Sequence, residues 1–190
     1  MGNREDLLDG ARKAILERGL AKVTARDIAA AAGVSLAAIG YHFGSKDRLI
    51  TEALTEGMGE DVGDRMEEVI RTADNDRPLA ETIGPTWDGL CAILDDHHES
   101  MLLSMENLVR IARSDDDGQY LAAATEHAYD DLARALTDTH TALSPDQARA
   151  LAKLLFALFQ GAAVLRLTAP TASRLDGEDL SRAVAALRGY

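Results

Sequence analysis

One cysteine, four prolines, one tryptophan and an aromatic content of 4% are all that 190 residues hold of these types. A single thiol, Cys91, excludes an internal disulfide and points to a reducing compartment. Scarce proline and aromatics beside abundant Ala and Leu predict an all-α chain. Long apolar runs are missing too. The longest uncharged one, Leu154 to Leu165, lies between Lys153 and Arg166 and falls short of the roughly 20 residues of a membrane span. The start, Gly2-Asn3-Arg4-Glu5-Asp6, is charged and unlike a secretory signal, so a cytoplasmic protein is expected, with no membrane partner. No nucleophile–base–orienter set and no phosphate loop is legible, so no enzyme is expected. The polar run Asp95-Asp96-His97-His98-Glu99, with His127 and His140 elsewhere, lacks the His-x-x-x-His or Glu-x-x-His spacing that builds a metal site on a helix. It reads as a helix junction. No metal and no cofactor are expected.

Basic residues are the minority, 20 Lys and Arg against 32 Asp and Glu, for a net charge of −12. The balance is uneven along the chain. Residues 1–50 hold eight basic and six acidic side chains, a net +2, and residues 51–190 carry −14. A nucleic acid would be met by the first part and repelled by the second.

The most organised stretch runs from Thr24 to Lys46. Thr24 is an N-cap with Asp27 placed for a capping box, and Ile28, Ala31 and Ala32 give a small apolar face. Gly33 suits the left-handed end of a helix, and Ser35 the N-cap of the next. Ile39 and Phe43 turn inward, while Leu36, Ala37, Gly40 and Tyr41 share the opposite, neutral face. Two helices joined by a glycine turn make a helix-turn-helix, whose second helix reads the DNA major groove. Tyr41, His42, Ser45 and Lys46 then gather groups that hold phosphates. A plain αα-hairpin would share the glycine and the caps but not this cluster.

The pattern Thr24, Arg26-Asp27-Ile28-Ala29, Ala32-Gly33-Val34-Ser35, Ile39, Tyr41-His42-Phe43, Ser45-Lys46 and Leu49 resembles the DNA-binding region of the tetracycline-repressor (TetR) family. One position departs: the family commonly carries an aromatic residue where this chain has Gly40. The resemblance implies DNA contacts from Thr24, Arg26, Ser35, Leu36, Ala37, Ala38, Gly40, Tyr41, His42 and Lys46.

Around this stretch, a first helix from Arg4 to Arg18 should brace the head, giving a DNA-binding domain over 1–50. A larger helical domain over 51–190 should follow, for about nine helices in all. The helical pattern after Lys46 runs to Ile70 through Gly57, Gly59 and Gly63, a weak segment between the two parts. Gly84-Pro85 should kink the helix that starts at Pro78. Ser144-Pro145 restarts the chain, and the helix from Ala148 to Leu167 is apolar nearly all round. Together with the last helix it suggests a homodimer through Leu151, Leu155, Leu158, Leu180, Val184 and Leu187.

The resemblance also implies that the larger domain encloses a small-molecule pocket. Trp87, Met101, Met105, Tyr120 and Phe156 are its apolar candidates, although such side chains fill any helical core. Cys91, Arg110, His127 and Gln160 are its polar ones. The expected protein is a one-component transcriptional regulator, a repressor that grips a palindromic operator on double-stranded DNA as a dimer and is released by a small hydrophobic effector. An activator or a ligand-independent regulator would carry the same features. A structural DNA-coating protein would need a more basic chain.

Overall fold

Leu and Ala at helical spacing form helices throughout the computed structural model, which describes residues 3–74, 77–96, 98–113 and 118–188. No strand occurs among the described residues, and the fold is all-α. The helices are α1 (Asn3–Arg18), α2 (Ala25–Ala32), α3 (Leu36–Phe43), α4 (Lys46–Leu54), α5 (Glu60–Arg71), α6 (Leu79–Asp96), α7 (His98–Ala112), α8 (Gly118–Thr139), α9 (Pro145–Thr168) and α10 (Gly177–Arg188). A π-helical segment, Thr55–Gly59, joins α4 to α5 without a break. The helix thus runs through Gly57 and Gly59 as a π turn, a rare form seen mostly as single turns inside α-helices, and does not end there. With 46–71 counted as one run, nine helices are described.

The residues gather into two compact units. The first is Met1–Asp61 with Leu103–Ala122, and the second is Val62–Leu102 with Ala123–Tyr190. Packing thus divides the chain differently from a linear cut at residue 50. Ile50, Ala53 and Leu54 are buried in the core of the first unit, so that core continues past the cut.

In the first unit, Leu7, Leu8, Ala11, Ala14 and Ile15 of α1 pack on Ile28, Ala29, Ile39, Phe43 and Leu49. α1 crosses α2 at Gly10, where a Cβ would lie 2.7 Å from the Cβ of Ala32, so a side chain at Gly10 would force the helices apart. Gly33 ends α2 at φ +68°, a conformation that a side chain resists. Its N–H reaches back to Ala30 O, and that of Val34 to Ala29 O.

The second unit is built on Trp87, Leu90, Ile93 and Leu94 of α6, packed with Leu132, Ala135 and Leu136 of α8 and Ala148, Ala152, Leu155, Phe159 and Ala163 of α9. α6 continues through Pro85, which is exposed and inside the helix. α10 lies on α6 where Gly84 and Gly177 meet backbone to backbone. The Gly177 N–H donates to Asp88 Oδ1 at 2.7 Å. α9 begins on a capping box, Ser144 with Gln147.

By length and composition α9 could cross a membrane, because its ends add apolar residues beyond the Leu154–Leu165 run. It also carries Arg149, which pairs with Glu126 at 2.6 Å and with Asp130, and five of its side chains sit in the unit's core.

Candidate nucleic-acid interface

The capping box that starts α2 is formed. The Asp27 N–H donates to Thr24 Oγ1 at 3.2 Å, and Asp27 Oδ2 accepts from the Thr24 N–H at 3.0 Å and from its hydroxyl at 2.7 Å. These bonds from Thr24, with Arg18 Nε 3.1 Å from the carboxylate, hold Asp27 below the usual carboxylate range. Arg26 stands exposed in the first turn of α2.

α3 divides cleanly by face. Ala38, Ile39 and Phe43 are buried in the head. Leu36 is 47% exposed and Tyr41 85%, and Ala37 and Gly40 are exposed with them. Nothing lies within 4 Å of where a Gly40 Cβ would stand. The Tyr41 ring meets that of half-buried His42 edge-on, with centroids 4.8 Å apart.

Two of the candidate contacts are placed differently from the rest. Ala38 does not join the outward face, because at 100° per residue it falls beside Ile39 and packs into the core. Ser35 occupies the N-cap of α3, but its side chain makes no capping bond. At α4, by contrast, the N-cap Ser45 does make its bond, its Oγ accepting from the Arg48 N–H at 3.0 Å. Lys46, next in chain, is half-buried, and its Nζ donates to Val23 O at 3.3 Å with Asp47 Oδ1 3.9 Å away. An ammonium has three protons, so this anchor aims Lys46 and leaves it able to donate further.

The nine candidate ligand contacts are divided between the two units. Met105, Arg110 and Tyr120 belong to the first unit. There Arg110 bonds Thr51 and reaches Asn107 Oδ1 at 2.8 Å, with Asp47 3.9 Å away. Trp87, Cys91, Met101, His127, Phe156 and Gln160 belong to the second unit. Trp87 is fully buried, and its Nε1 donates to Leu175 O at 2.9 Å. Cys91 Sγ lies 4.0 Å from the same carbonyl, and burial pushes its thiol up. Phe156 is half-buried and edge-on to Tyr129 at 5.4 Å, Gln160 is half-buried one turn further along, and His127 is exposed.

The apolar candidates for subunit contact also separate. Leu155 is 1% exposed and, with Leu180, sits in the core of its own unit. Leu151, Leu158 and Val184 are half-buried, and Leu187 is 81% exposed. Sequence reasoning missed Leu154 and Leu165, which are 53% and 59% exposed on the outer face of α9. It also missed Arg166, which joins Asp95 Oδ1 at 3.0 Å and Cys91 O at 3.2 Å. No spacing rule could have found a pair 71 residues apart.

Among the described residues no three His, Cys, Asp or Glu gather as metal ligands. His97, and the side chains of Asp96, His98 and Glu99, lie outside them.

Known proteins resemble this chain in both sequence and fold. HTH-type transcriptional repressor KstR2 of Rhodococcus jostii is 35% identical over 85 residues, 45% of this chain and 41% of the relative. The chain spans about half the length of the curated relatives it matches. The multidrug binding protein EbrR, solved with imidazole, superposes with a TM-score of 0.63 at 19% identity, covering 98% of this chain and 95% of that one. The transcriptional regulator FadR of Bacillus subtilis, solved with stearoyl-CoA, gives 0.57 at 20% identity, with 96% of each chain covered. Both likenesses speak to the fold. Residues 7–53, from α1 through the helix-turn-helix into α4, match the family of bacterial regulatory proteins named tetR.

Proposed function

We propose that this protein is a one-component transcriptional regulator, a repressor that holds a palindromic operator as a homodimer and leaves it when a small, mainly hydrophobic ligand binds. The observation that carries the reading is the outward face of α3, where Leu36, Ala37, Gly40 and Tyr41 stand bare. Arg26 at the start of α2 and Lys46 at the start of α4 supply cations for phosphates, and helix N-termini favour the same anions. The repressor named in the relative KstR2 supports the direction of control, and the ligands bound to EbrR and FadR support an effector. Residues 1–50 would read DNA, and 51–190 would bind ligand and dimerise.

The exposed leucines of α9 and α10 support the homodimer, since apolar surface of this kind is stabilised by a second copy. The relatives are regulators, so catalysis is not part of the reading, and a regulator of this kind works in the cytoplasm. An activator or a ligand-independent regulator would use the same interface. A general DNA-coating role is disfavoured by a net charge of −12.

Selection from a random duplex library with the full chain tests the reading. A regulator returns one palindrome, whereas a coating protein returns none. Lys46→Ala should then weaken binding to every duplex alike and lower the salt slope by about one unit. A loss confined to one base position would give Lys46 a reading role instead.

A further inference from the structure

Resting on that reading, we infer that the operator is recognised under the outward face of α3 through the C5-methyl groups of thymine, not through hydrogen bonds to purines. Three side-chain positions there, Leu36, Ala37 and Gly40, are all exposed and none of the three carries a donor or an acceptor. α3, with the sequence LAAIGYHF, contains no Arg, Lys, Asn or Gln, the residues that read guanine or adenine with paired bonds. Arg26 and Lys46 lie outside α3, in the first turns of α2 and α4, and one donor of Lys46 is already held by Val23 O at 3.3 Å.

The base edges of the major groove decide the rest. Guanine, adenine and cytosine present donors and acceptors and no methyl at their edges, and pressing Leu36 against them would strip water from those polar groups without replacing its bonds. Thymine alone offers a methyl group. With open space at Gly40, the α3 backbone has no side chain of its own to hold that methyl off. The methyls would pack on Leu36 and Ala37, and Tyr41 at the edge of this face would supply the polar end of the contact.

The probe is the duplex selected by the full chain, with each thymine replaced singly by deoxyuridine, which removes the methyl and keeps the base pair. Affinity should fall about three- to five-fold at one or more positions in each half-site, the value of one buried carbon. Leu36→Ala should shrink one of those penalties to below two-fold while leaving the salt slope unchanged, because phosphate contacts lie elsewhere. Every deoxyuridine tolerated within two-fold, with 7-deazaguanine costing more, would overturn the inference and move recognition to guanine. A selection that returns no preferred duplex would remove the regulator reading and this inference with it.

Discussion

The Tyr120 hydroxyl donates to Glu56 Oε1 at 3.2 Å, joining the first turn of α8 to the π segment across 64 residues. The tyrosine ring also lies 4.2 Å from the Arg48 guanidinium. Glu52 and Glu56 accept from Arg4 at 2.8 and 2.9 Å, so five side chains of the first unit form one chain of contacts. Burial, and then the charges of Glu56 and Glu52, raise the phenol well above its ordinary pKa, so Tyr120 stays a neutral donor. Together with Arg110 on Thr51, these contacts tie the end of α7 and the start of α8 to α4 and the π segment within the unit.

Removing the hydroxyl alone tests that chain of contacts. Tyr120→Phe keeps the ring over Arg48 and should cost about 0.5–1.5 kcal/mol, the net worth of one hydrogen bond. Tyr120→Ala should cost more, because the packed ring is lost as well. Urea unfolding of both variants reads the difference: a Tyr120→Phe variant as stable as the parent would deny the hydroxyl any part, and equal losses would deny the ring one.

His140 should make stability depend on pH. It is buried at the end of α8, and burial lowers its pKa below the ordinary 6.5. As pH falls, the unfolded chain takes this proton first, so the contribution is intact above about pH 6.5 and is lost on the way down to the depressed value. Melting midpoints across pH 7.5 to 5 should show the step, and His140→Gln should flatten it.

Alanine should be accepted unequally along the glycine-rich run. A Cβ at Gly63 meets nothing within 4 Å, so Gly63→Ala should stabilise the helix by about 0.8–1.0 kcal/mol. At Gly57 the added carbon would stand 2.7 Å from Arg12 Cδ, and Arg12 Nη1 donates to Ala53 O at 3.3 Å. Gly57→Ala must move that side chain and should gain less or lose stability. Thermal scans of the two variants side by side decide it.

Neighbouring leucines of α9 should behave oppositely. Leu154→Glu puts charge on an exposed site, and sedimentation should find a folded monomer. Leu155→Glu buries an unpaired charge and should prevent folding, while Leu155→Ala should cost about 2–5 kcal/mol. A Leu154→Glu variant that remains a dimer would move the subunit contact off this face.

Much of the head could be read before any coordinates. Capping boxes, glycine stops and helical spacing act within four residues, so Thr24, Gly33 and the inward pair Ile39 and Phe43 declared themselves. One expectation failed where a good capping residue was not used: Ser35 stands at the N-cap of α3 without a side-chain bond. The helix-turn-helix was legible for the same local reason, since its turn chemistry lies within one short stretch.

Contacts between residues far apart in the chain were not legible. That Gly10 lets α1 meet Ala32, that Gly84 meets Gly177, and that Tyr120 reaches Glu56 depend on how helices cross. Nor could periodicity tell Leu154 from Leu155 on a helix apolar nearly all round, since either could face the core. The sequence by itself determined the helices, most of their ends and the helix-turn-helix, because those rest on backbone preferences and neighbours a turn away. Only the tertiary structure decided which apolar face is covered and which stays bare, because burial is a property of the packed helices and not of any one of them.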